Sequence, residues 1–375
     1  MIKNIVLFLT FGGSLKIWEE NGILEREIKI YKKLNEQYGV TTHIISYGDD
    51  RDCLIGERFS FLNVHSNFLK IHPRFYSFLI PLLFFKVFLK AEIIKTNQFF
   101  GVHIAHRVSK IFAKPLIIRN GFNFLKHIKE EFGLHSKEYD KAKKYEKKFI
   151  SSGDVNIFTT ELMANEYKKL YNLNSEKIFV VPNYVVKKDW KPSYKIQKKK
   201  NCILFFGRIT KQKNLLELSK AIKGLKKKLI IIGFGKEKKK IENFLKKNKI
   251  QHNFFNRIPQ SKIKNQLKLC DAFILPSLYE GHPKTLIEMM VYKIPIITTN
   301  VDGIKEIIKD NVNGILCDTD AQSIRKRIKD FYSMSIQKKK EMTDNAYSYS
   351  IKNFEIEEVS KKEYQIYSAL YKKNE

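Results

Sequence analysis

Short apolar runs alternate with longer amphipathic segments along almost the whole chain. The runs at 4–10, 202–206 and 271–275 have the length and composition of buried strands, and a glycine or proline follows each within two residues. The segment 20–38 instead places apolar residues at helical spacing. Because buried strands that alternate with helices indicate parallel sheets, the pattern predicts an α/β fold.

The length of the chain indicates two such domains. The chain has 375 residues, of which 43% are hydrophobic, and this is enough for two separate cores. The stretch 186–200 is rich in lysine and has no apolar period, which is typical of a linker. We therefore expect a first domain over residues 1–186 and a second domain that begins at residue 187.

The densest candidate chemistry lies between residues 270 and 306. A predicted strand ends at Leu275, a polar loop carries Glu280-Gly281-His282-Pro283, and a helix is expected to follow. Loops at the carboxyl ends of parallel strands are where open α/β sheets bind ligands. Free amides at a helix start attract anions, and we expect such a site at residues 284–286. With the carboxylates of Glu280 and Glu288, this set suits a nucleotide diphosphate sugar.

Two motifs of the second domain resemble those of glycosyltransferase family 4. The spacing E-G-x-P-x-x-x-x-E from Glu280 to Glu288, with a Pro-Ile-Ile-Thr strand after it, resembles the donor signature of that family. Gly207-Arg208, followed by Lys213, resembles the G-R-x-x-x-x-K motif of the family and comes directly after a predicted strand. Members of this family are retaining enzymes of the GT-B fold. The resemblance covers the second domain specifically and the first domain only in architecture.

The resemblance implies a GT-B architecture, in which two Rossmann-like domains face each other across a donor cleft. The first domain would bind the acceptor, and the second, over residues 187–352, would bind the nucleotide sugar. The last segment, 353–375, would be a helix that packs back on the first domain.

The resemblance also implies roles for particular residues. Arg208 and Lys213 would supply two cations for the leaving diphosphate, and Glu280 would orient the sugar, so these three are the expected catalytic residues. The expected donor-binding residues are Gly12, Gly13, Gly207, Gly233, Arg257, Ile258, Pro259, Gly281, His282, Pro283, Lys284, Thr285, Leu286 and Glu288. No cofactor is expected, and no metal, because the cationic side chains would take the place of a divalent ion.

The acceptor side of the first domain departs from the family. The family often has a histidine after the strand that ends near residue 119, where this chain has Arg119 and Asn120. Either of these residues is therefore the expected acceptor-side group. His103 and His106 lie three apart on a predicted helix, but without a third ligand at helical spacing they do not predict a metal site.

The composition adds a strong positive charge. With 70 Lys+Arg against 39 Asp+Glu, the formal net charge is +31, which favours an anionic partner. An A+T-rich genome would give a similar lysine-rich composition, so the charge alone selects no partner. A nucleic-acid-binding protein is one alternative, but no recognised module is present, and no nucleic-acid partner is expected. A nucleotide-sugar 2-epimerase of the same fold is the other alternative, and activity without an acceptor would reveal it.

The segment Phe68–Lys90 allows two interpretations. It is apolar and aromatic with positive residues at its flanks, and its uninterrupted apolar part, Phe75–Phe85, has 11 residues, too few to span a bilayer that needs about 20. The segment is either a buried core helix or an interfacial helix on an anionic membrane surface.

These observations predict a retaining glycosyltransferase that uses a UDP- or GDP-linked sugar. Its acceptor would be a glycan or a lipid-linked molecule in the synthesis of a cell-surface polysaccharide or lipopolysaccharide. The four cysteines are widely spaced, as in a reducing compartment, and the start of the chain lacks the long apolar region of a signal peptide. We therefore expect a cytoplasmic protein that is peripheral on the cytosolic face of the inner membrane.

Overall fold

The chain forms two compact units. The computed structural model describes residues 2–191, 200–256, 258 and 260–374. The first unit consists of Met1–Pro182 together with Ile356–Glu375, and the second consists of Asn183–Glu355. The chain passes between the units at 182–183 and 355–356, where the sequence analysis places the boundaries at 186–187 and 352–353. The C-terminal helix begins at Ile356 and not at residue 353.

Strands and helices alternate in both units. The strands of the first unit are β1 (Asn4–Phe8), β2 (Thr41–Ile45), β3 (Leu62–His65), β4 (Ile93–Thr96), β5 (Leu116–Asn120), β6 (Val155–Phe158) and β7 (Ile178–Val180). Its helices are α1 (Leu15–Glu20), α2 (Leu24–Tyr38), α3 (Asp50–Glu57), α4 (Pro73–Leu83), α5 (Phe85–Lys90), α6 (Val102–Phe112), α7 (Phe124–Phe132), α8 (Lys137–Phe149), α9 (Glu161–Tyr171) and the C-terminal α16 (Ile356–Asn374).

The second unit repeats this pattern. Its strands are β8 (Cys202–Phe206), β9 (Lys228–Ile232), β10 (His252–Phe255), β11 (Ala272–Leu275), β12 (Ile296–Thr299) and β13 (Ile315–Cys317). Its helices are α10 (Leu215–Ile222), α11 (Lys238–Lys247), α12 (Gln260–Leu267), α13 (Lys284–Val291), α14 (Ala321–Ser333) and α15 (Ile336–Phe354).

Each unit is built on one parallel sheet. The strand order is β3-β2-β1-β4-β5-β6-β7 in the first unit and β10-β9-β8-β11-β12-β13 in the second. Neighbouring strands pair in parallel throughout these two orders. The predicted α/β class with two Rossmann-like units is therefore confirmed.

The strand order reverses once in each sheet, between β1 and β4 and between β8 and β11. Ligands of open α/β sheets bind at the carboxyl ends of the strands at such a reversal. In the second unit, β8 ends directly before Gly207-Arg208, and β11 ends shortly before the loop that carries Glu280. The two predicted motifs therefore lie at one edge of the sheet.

The predicted helix over 20–38 begins later in the structure. α2 starts at Leu24, and a separate helix that the sequence analysis does not identify, α1, ends at Glu20. Gly22 lies between them with a φ of 66°, a left-handed conformation that glycine adopts without strain. The predicted start at residue 20 is therefore four residues too early, because the turn at Gly22 separates α1 from α2.

A buried polar cluster ties the C-terminal helix α16 to the sheet of the first unit. The ammonium group of Lys95, on β4, contacts the carboxylate of Glu363 and donates to the hydroxyl of Tyr367 at 3.0 Å. All three side chains are buried. Burial and the nearby positive charge of Arg119 lower the pKa of Lys95. The charged lysine therefore depends on Glu363 for compensation inside the core.

Replacing Lys95 by methionine is expected to destabilise the first unit, because Glu363 would keep an uncompensated buried charge. Breaking a buried ion pair costs about 3–5 kcal/mol, whereas replacing both partners by apolar residues costs much less. We expect Lys95→Met to lower the free energy of unfolding by about 3 kcal/mol, and the double variant Lys95→Met/Glu363→Met to recover part of that loss.

Urea unfolding followed by tryptophan fluorescence measures this effect. Trp18 is buried in the first unit and Trp190 in the second, so a Trp190→Phe background reports on the first unit alone. Lys33 is the matched control, because its partly exposed pair with Glu357, at 2.7 Å, also holds α16, in this case to α2. Lys33→Met should cost less than about 1 kcal/mol. Equal losses from Lys95→Met and Lys33→Met would contradict the role of the buried cluster.

Candidate functional site

The two motif loops of the second unit are bonded to each other. β8 and β11 are neighbours in the sheet, so the loops after them leave from adjacent strand ends. The amide of Leu278 donates to the carbonyl of Gln212 at 2.8 Å, and the side-chain amide of Gln212 donates to the carbonyl of Tyr279 at 2.9 Å. Gln212 thereby fixes the acidic loop, 276–283, against the basic loop, 207–214.

Lys213 and Glu280, two of the predicted catalytic residues, form a buried ion pair. Their side chains are 11% and 7% exposed, and the ammonium group contacts Oε1 of the carboxylate. The hydroxyl of Ser277 donates to the same oxygen at 2.6 Å. Two donors, one from each loop, therefore hold the Glu280 carboxylate in one position.

Ser277 and Gln212 are site residues that the sequence analysis does not identify. Ser277 is fully buried at the end of β11, and its carbonyl accepts a hydrogen bond from the hydroxyl of Thr299 at 2.6 Å. A hydroxyl three residues before a loop carboxylate was the available signal for Ser277. Gln212 offered no such signal, because its partners lie far along the chain and only the fold brings them together.

Arg208 differs from Lys213 in its surroundings. Its side chain is exposed at the end of β8, whereas that of Lys213 is buried against Glu280. A guanidinium group carries five N–H donors in a planar arrangement that matches phosphate oxygens. Of the two predicted catalytic cations, Arg208 is therefore accessible and Lys213 is already compensated.

Glycines allow the turns at this edge to pack closely. The amide of Gly207 donates to the carbonyl of Ile232 at 3.0 Å. A Cβ atom on Gly233 would overlap the carbonyl oxygen of Gly207, and a Cβ atom on Gly303 would overlap that of Gly281. Gly207 and Gly233 thus lie side by side, as expected for residues of one site, while Gly281 packs against Gly303.

The helix start after the acidic loop has fewer available amides than the sequence analysis expects. α13 begins at Lys284, directly after Pro283. The amide of Leu286 donates to the carbonyl of Pro283 at 3.1 Å, and the Leu286 side chain is fully buried. The expectation of an anion-binding amide is therefore wrong for Leu286, because the first helical turn already uses it. The same role for Lys284 and Thr285 stays a prediction.

His282 is held by both ends of the second unit. Its ring packs edge-on against that of Phe354, with 4.8 Å between centroids, and its carbonyl accepts from the side-chain amide of Asn183 at 2.6 Å. Glu288 is buried on the second turn of α13. The residues proposed to meet the sugar and the ribose therefore flank a loop and helix start of fixed geometry.

The expected base pocket is described only in part. Ile258 is half-buried and packs against the core of the second unit, a few residues after the end of β10. Arg257 and Pro259 lie outside the described residues. The structure therefore bears on this prediction through Ile258 alone.

In the first unit, Gly12 and Gly13 form the turn after β1. The amide of Gly13 donates to the carbonyl of Thr10 at 2.7 Å. The carboxylate of Asp52 accepts from the first two amides of α1, at 2.8 and 2.9 Å. The protein's own carboxylate therefore occupies this helix start, and a phosphate at the glycine turn would have to bind without those two amides.

The two acceptor-side candidates differ in their burial. The Asn120 side chain is buried and donates to Oδ1 of Asn156 at 3.3 Å. The contact with Asn156 accounts for the Asn120 side chain, and an acceptor-side role for it stays a prediction. Arg119 is half-buried on β5, and its acceptor-side role stays a prediction.

The described part of the chain contains no group of three or more His, Cys, Asp or Glu side chains that could hold a metal ion. Nδ1 of His103, one of the two helical histidines, lies 2.9 Å from the hydroxyl of Tyr145, and the two rings pack edge-on. These contacts account for the position of this histidine.

Known structures define the class of the fold. The chain is similar over 97% of its length to the Anabaena protein HepE in complex with UDP-glucose, with a TM-score of 0.73 and 16% sequence identity, and the match covers 99% of that protein. The chain therefore has the GT-B fold.

The family follows from the sequence of the second unit. Residues 186–349 match the family described as glycosyl transferases group 1. The chain is 35% identical over 116 residues to an uncharacterised glycosyltransferase of Methanocaldococcus jannaschii, which is 31% of this chain and 33% of the relative. It is 30% identical over 172 residues to the UDP-Gal:alpha-D-GlcNAc-diphosphoundecaprenol alpha-1,3-galactosyltransferase of Escherichia coli, which is 40% of this chain and 43% of the relative.

These matches identify the second unit. The chain spans between 33% and 52% of the length of the first curated relatives that it matches. Residues 186–349 match the group 1 glycosyltransferase family, which confirms for these residues the group 1 resemblance that the two motifs indicate.

The buried Lys213–Glu280 pair should matter for the stability of the second unit, whereas the exposed Arg208 should not. Lys213→Met would leave Glu280 as a buried carboxylate with only the Ser277 hydroxyl, so we expect a loss of about 3 kcal/mol in the free energy of unfolding. Lys213→Met/Glu280→Gln should recover part of it. Arg208→Met, on the exposed cation, should change stability by no more than about 0.5 kcal/mol.

Urea unfolding in a Trp18→Phe background follows this effect through Trp190, which is buried in the second unit. If Arg208→Met destabilised the unit as much as Lys213→Met, the ion pair would not be the interaction that holds the loops together.

Proposed function

We propose that the protein is a retaining glycosyltransferase that moves a sugar from a UDP- or GDP-linked donor to a glycan or lipid-linked acceptor. The reaction would serve the synthesis of a cell-surface polysaccharide or lipopolysaccharide. The observation that carries the proposal is the buried Lys213–Glu280 pair at the strand reversal of a group 1 domain, with the exposed Arg208 in the same basic loop.

The names of similar proteins support both substrates. The Escherichia coli relative is a transferase with a UDP-Gal donor and a diphosphoundecaprenol-linked acceptor, and the structure of HepE holds UDP-glucose. A relative from Campylobacter jejuni also acts on a saccharide linked to PP-undecaprenol. We therefore infer a nucleotide-sugar donor and favour a lipid-linked acceptor, at the cytosolic face of the membrane.

The basic loop would bind the donor diphosphate. Arg208 is exposed and can bind phosphate oxygens bidentately. An ammonium group has three N–H donors, so Lys213 can keep its contact with Glu280 and still donate to a phosphate oxygen. The amides of Lys284 and Thr285 at the start of α13 would add donors of the kind that phosphates meet at helix starts. Glu288 would accept from the ribose hydroxyls.

The same groups would stabilise the transition state. Glycosyl transfer passes through an oxocarbenium-like state, in which negative charge grows on the leaving diphosphate and positive charge on the sugar. Arg208 and Lys213 would oppose the first charge, and the fixed Glu280 carboxylate would oppose the second. The leaving phosphate would accept the acceptor proton on the same face of the sugar, which retains the anomeric configuration. The two cations would act where other enzymes use a divalent ion.

The epimerase alternative receives no support from the first unit. A 2-epimerase would need acid and base carboxylates that face the sugar from both units. Asp52, at the glycine turn, is engaged by two amides of α1, and the similar proteins are described as transferases. We therefore retain the transferase.

Calorimetric titration with a panel of UDP- and GDP-linked sugars, without added metal, tests the proposal. We expect one donor to bind saturably to the wild-type chain. Arg208→Ala should weaken that binding by about tenfold or more, because hydrogen bonds to charged groups contribute about 1.5–3 kcal/mol. Glu288→Gln should weaken it as well, by removing the charge that the ribose hydroxyls would meet.

Lys211→Ala is the matched control, because Lys211 is an exposed cation of the same loop. The Lys211→Ala variant should bind the donor with a constant within about twofold of that of the wild type. Failure of every UDP- and GDP-linked sugar to bind would overturn the proposal. An altered sugar released without any acceptor would replace the transferase by the epimerase.

A further inference from the structure

We propose that α4, α5 and the end of α6 form a surface that inserts apolar side chains into an anionic lipid bilayer. This docking face consists of Phe75, Phe78, Leu82, Phe85, Leu89 and Ile111. It belongs to the first unit, whereas the loops that carry Lys213 and Glu280 belong to the second. The inference deepens the proposed function by naming the surface that would meet the membrane, and it rests on that function only for the lipid-linked acceptor.

Helix α4 is apolar on two opposite sides. Its inner residues Tyr76 and Ile80 are fully buried in the core of the first unit. Its outer residues Phe75, Phe78 and Leu82 are 72%, 76% and 72% exposed, and their spacing places them in one stripe. A helix on the surface of a soluble domain normally has polar residues on that side. Core packing therefore explains why the inner side of α4 is apolar, but it does not explain the apolar residues of the outer stripe.

The stripe extends onto the neighbouring helices. α4 and α5 contact each other, and both contact α6. Phe85 and Leu89 on α5, and Ile111 on α6, are also exposed. Single exposed apolar side chains are ordinary on protein surfaces, but a contiguous group of them marks an interaction site.

Positive charges surround the docking face. Lys86 and Lys90 on α5 and Lys110 on α6 are exposed beside its apolar residues. The guanidinium group of Arg107 lies over the ring of Phe78, 4.9 Å from its centroid. Apolar side chains rimmed by cations match a bilayer surface, where acyl chains lie below anionic headgroups.

Carboxylates are nearly absent from this part of the chain. From Arg58 to Lys129, Glu92 is the only acidic residue in the sequence, and its carboxylate accepts a hydrogen bond from the amide of Asn4 at 2.6 Å. An acidic surface would be repelled by anionic lipids, so this depletion is the electrostatic requirement for membrane contact.

A bilayer fits this face better than a second copy of the chain. A symmetric dimer through the face would bring Lys86 and Lys90 of one copy towards the same residues of the other, and such like charges repel. α4 has 11 residues and α5 has 6, and no helix of the described residues is long and apolar enough to cross a membrane. The helices would therefore lie in the plane of the interface, with side chains about 5–10 Å deep.

Flotation with vesicles tests the inference on the full chain at physiological salt. We expect the protein to float with vesicles of equal parts phosphatidylcholine and phosphatidylglycerol, and much less with pure phosphatidylcholine. Phe78→Ser/Leu82→Ser should weaken binding about tenfold or more, since two apolar side chains that would insert into the bilayer are lost. Lys86→Gln/Lys90→Gln should also weaken it by about tenfold, and only on the anionic vesicles.

The matched control is Leu170→Ser/Ile336→Ser, because these two residues are 61% and 59% exposed but lie outside the face. This control should float like the wild type. A wild-type chain that ignores anionic vesicles would overturn the inference, as would equal losses in the control and Phe78→Ser/Leu82→Ser. A concentration-dependent dimer that Phe78→Ser/Leu82→Ser abolishes would assign the face to a second copy instead.

Fluorescence gives a second reading, which reports the surroundings of one side chain in the bound protein. The native Trp18 and Trp190 are buried, so they should change little when vesicles are added. Phe78→Trp should shift its emission to the blue on anionic vesicles, whereas Leu170→Trp should not. No shift for Phe78→Trp on vesicles that bind the protein would place the contact elsewhere.

The test is separable from that of the donor site. Phe78→Ser/Leu82→Ser should bind nucleotide sugars in solution as the wild type does, because the substituted residues lie in the other unit. Donor binding without vesicle binding would therefore reject the docking face alone, and vesicle binding without donor binding would reject the transferase alone.

Discussion

The buried ion pair between Lys213 and Glu280 holds together the two loops from which the candidate site is made. Both charged groups are buried, and each is compensated mainly by the other. The Ser277 hydroxyl is a second donor to the carboxylate. Burying charges in this way contributes little net stability, but it strongly penalises any arrangement in which the loops separate. The pair therefore fixes the geometry of the site more than it stabilises the fold.

Fixed geometry is also what a transferase would require of Glu280. A carboxylate that is already held by two donors needs no reorganisation when a cationic sugar develops beside it. The same arrangement makes Lys213 and Glu280 structural residues, so loss of activity in their variants would not by itself show a chemical role. Arg208 does not have this double role, because it is exposed and its substitution leaves no buried charge behind. A substitution of Arg208 can therefore change activity without changing the stability of the fold.

The sequence was sufficient wherever the signal was local. A strand, a glycine and a charged loop are adjacent along the chain, so the two motifs and their place at the strand ends could be predicted, as could the α/β class. Contacts between distant segments could not be predicted. The partner of Lys213 is 67 positions away, and the hydrogen bond of Gln212 to Tyr279 has the same separation. The burial of Asn120 depends on Asn156 of the adjacent strand, and the amide of Leu286 was lost to the carbonyl of Pro283, a detail of turn geometry.

The segment Phe68–Lys90 shows why composition and periodicity can leave a question open. The core interpretation is right for one side of α4, which buries Tyr76 and Ile80, whereas the exposed Phe75 and Phe78 leave the interfacial interpretation a prediction. The lysine-rich composition of the chain explains many cations without any function. It does not explain missing carboxylates, because an even spread of the 39 acidic residues over the chain would put about seven between Arg58 and Lys129, where one is found. A bias of the genome towards lysine adds positive charge everywhere, whereas the depletion is local and coincides with the exposed aromatic side chains. Two features, the exposed apolar stripe and the scarcity of acidic residues, thus occur in one segment of the chain, and both favour contact with anionic lipid.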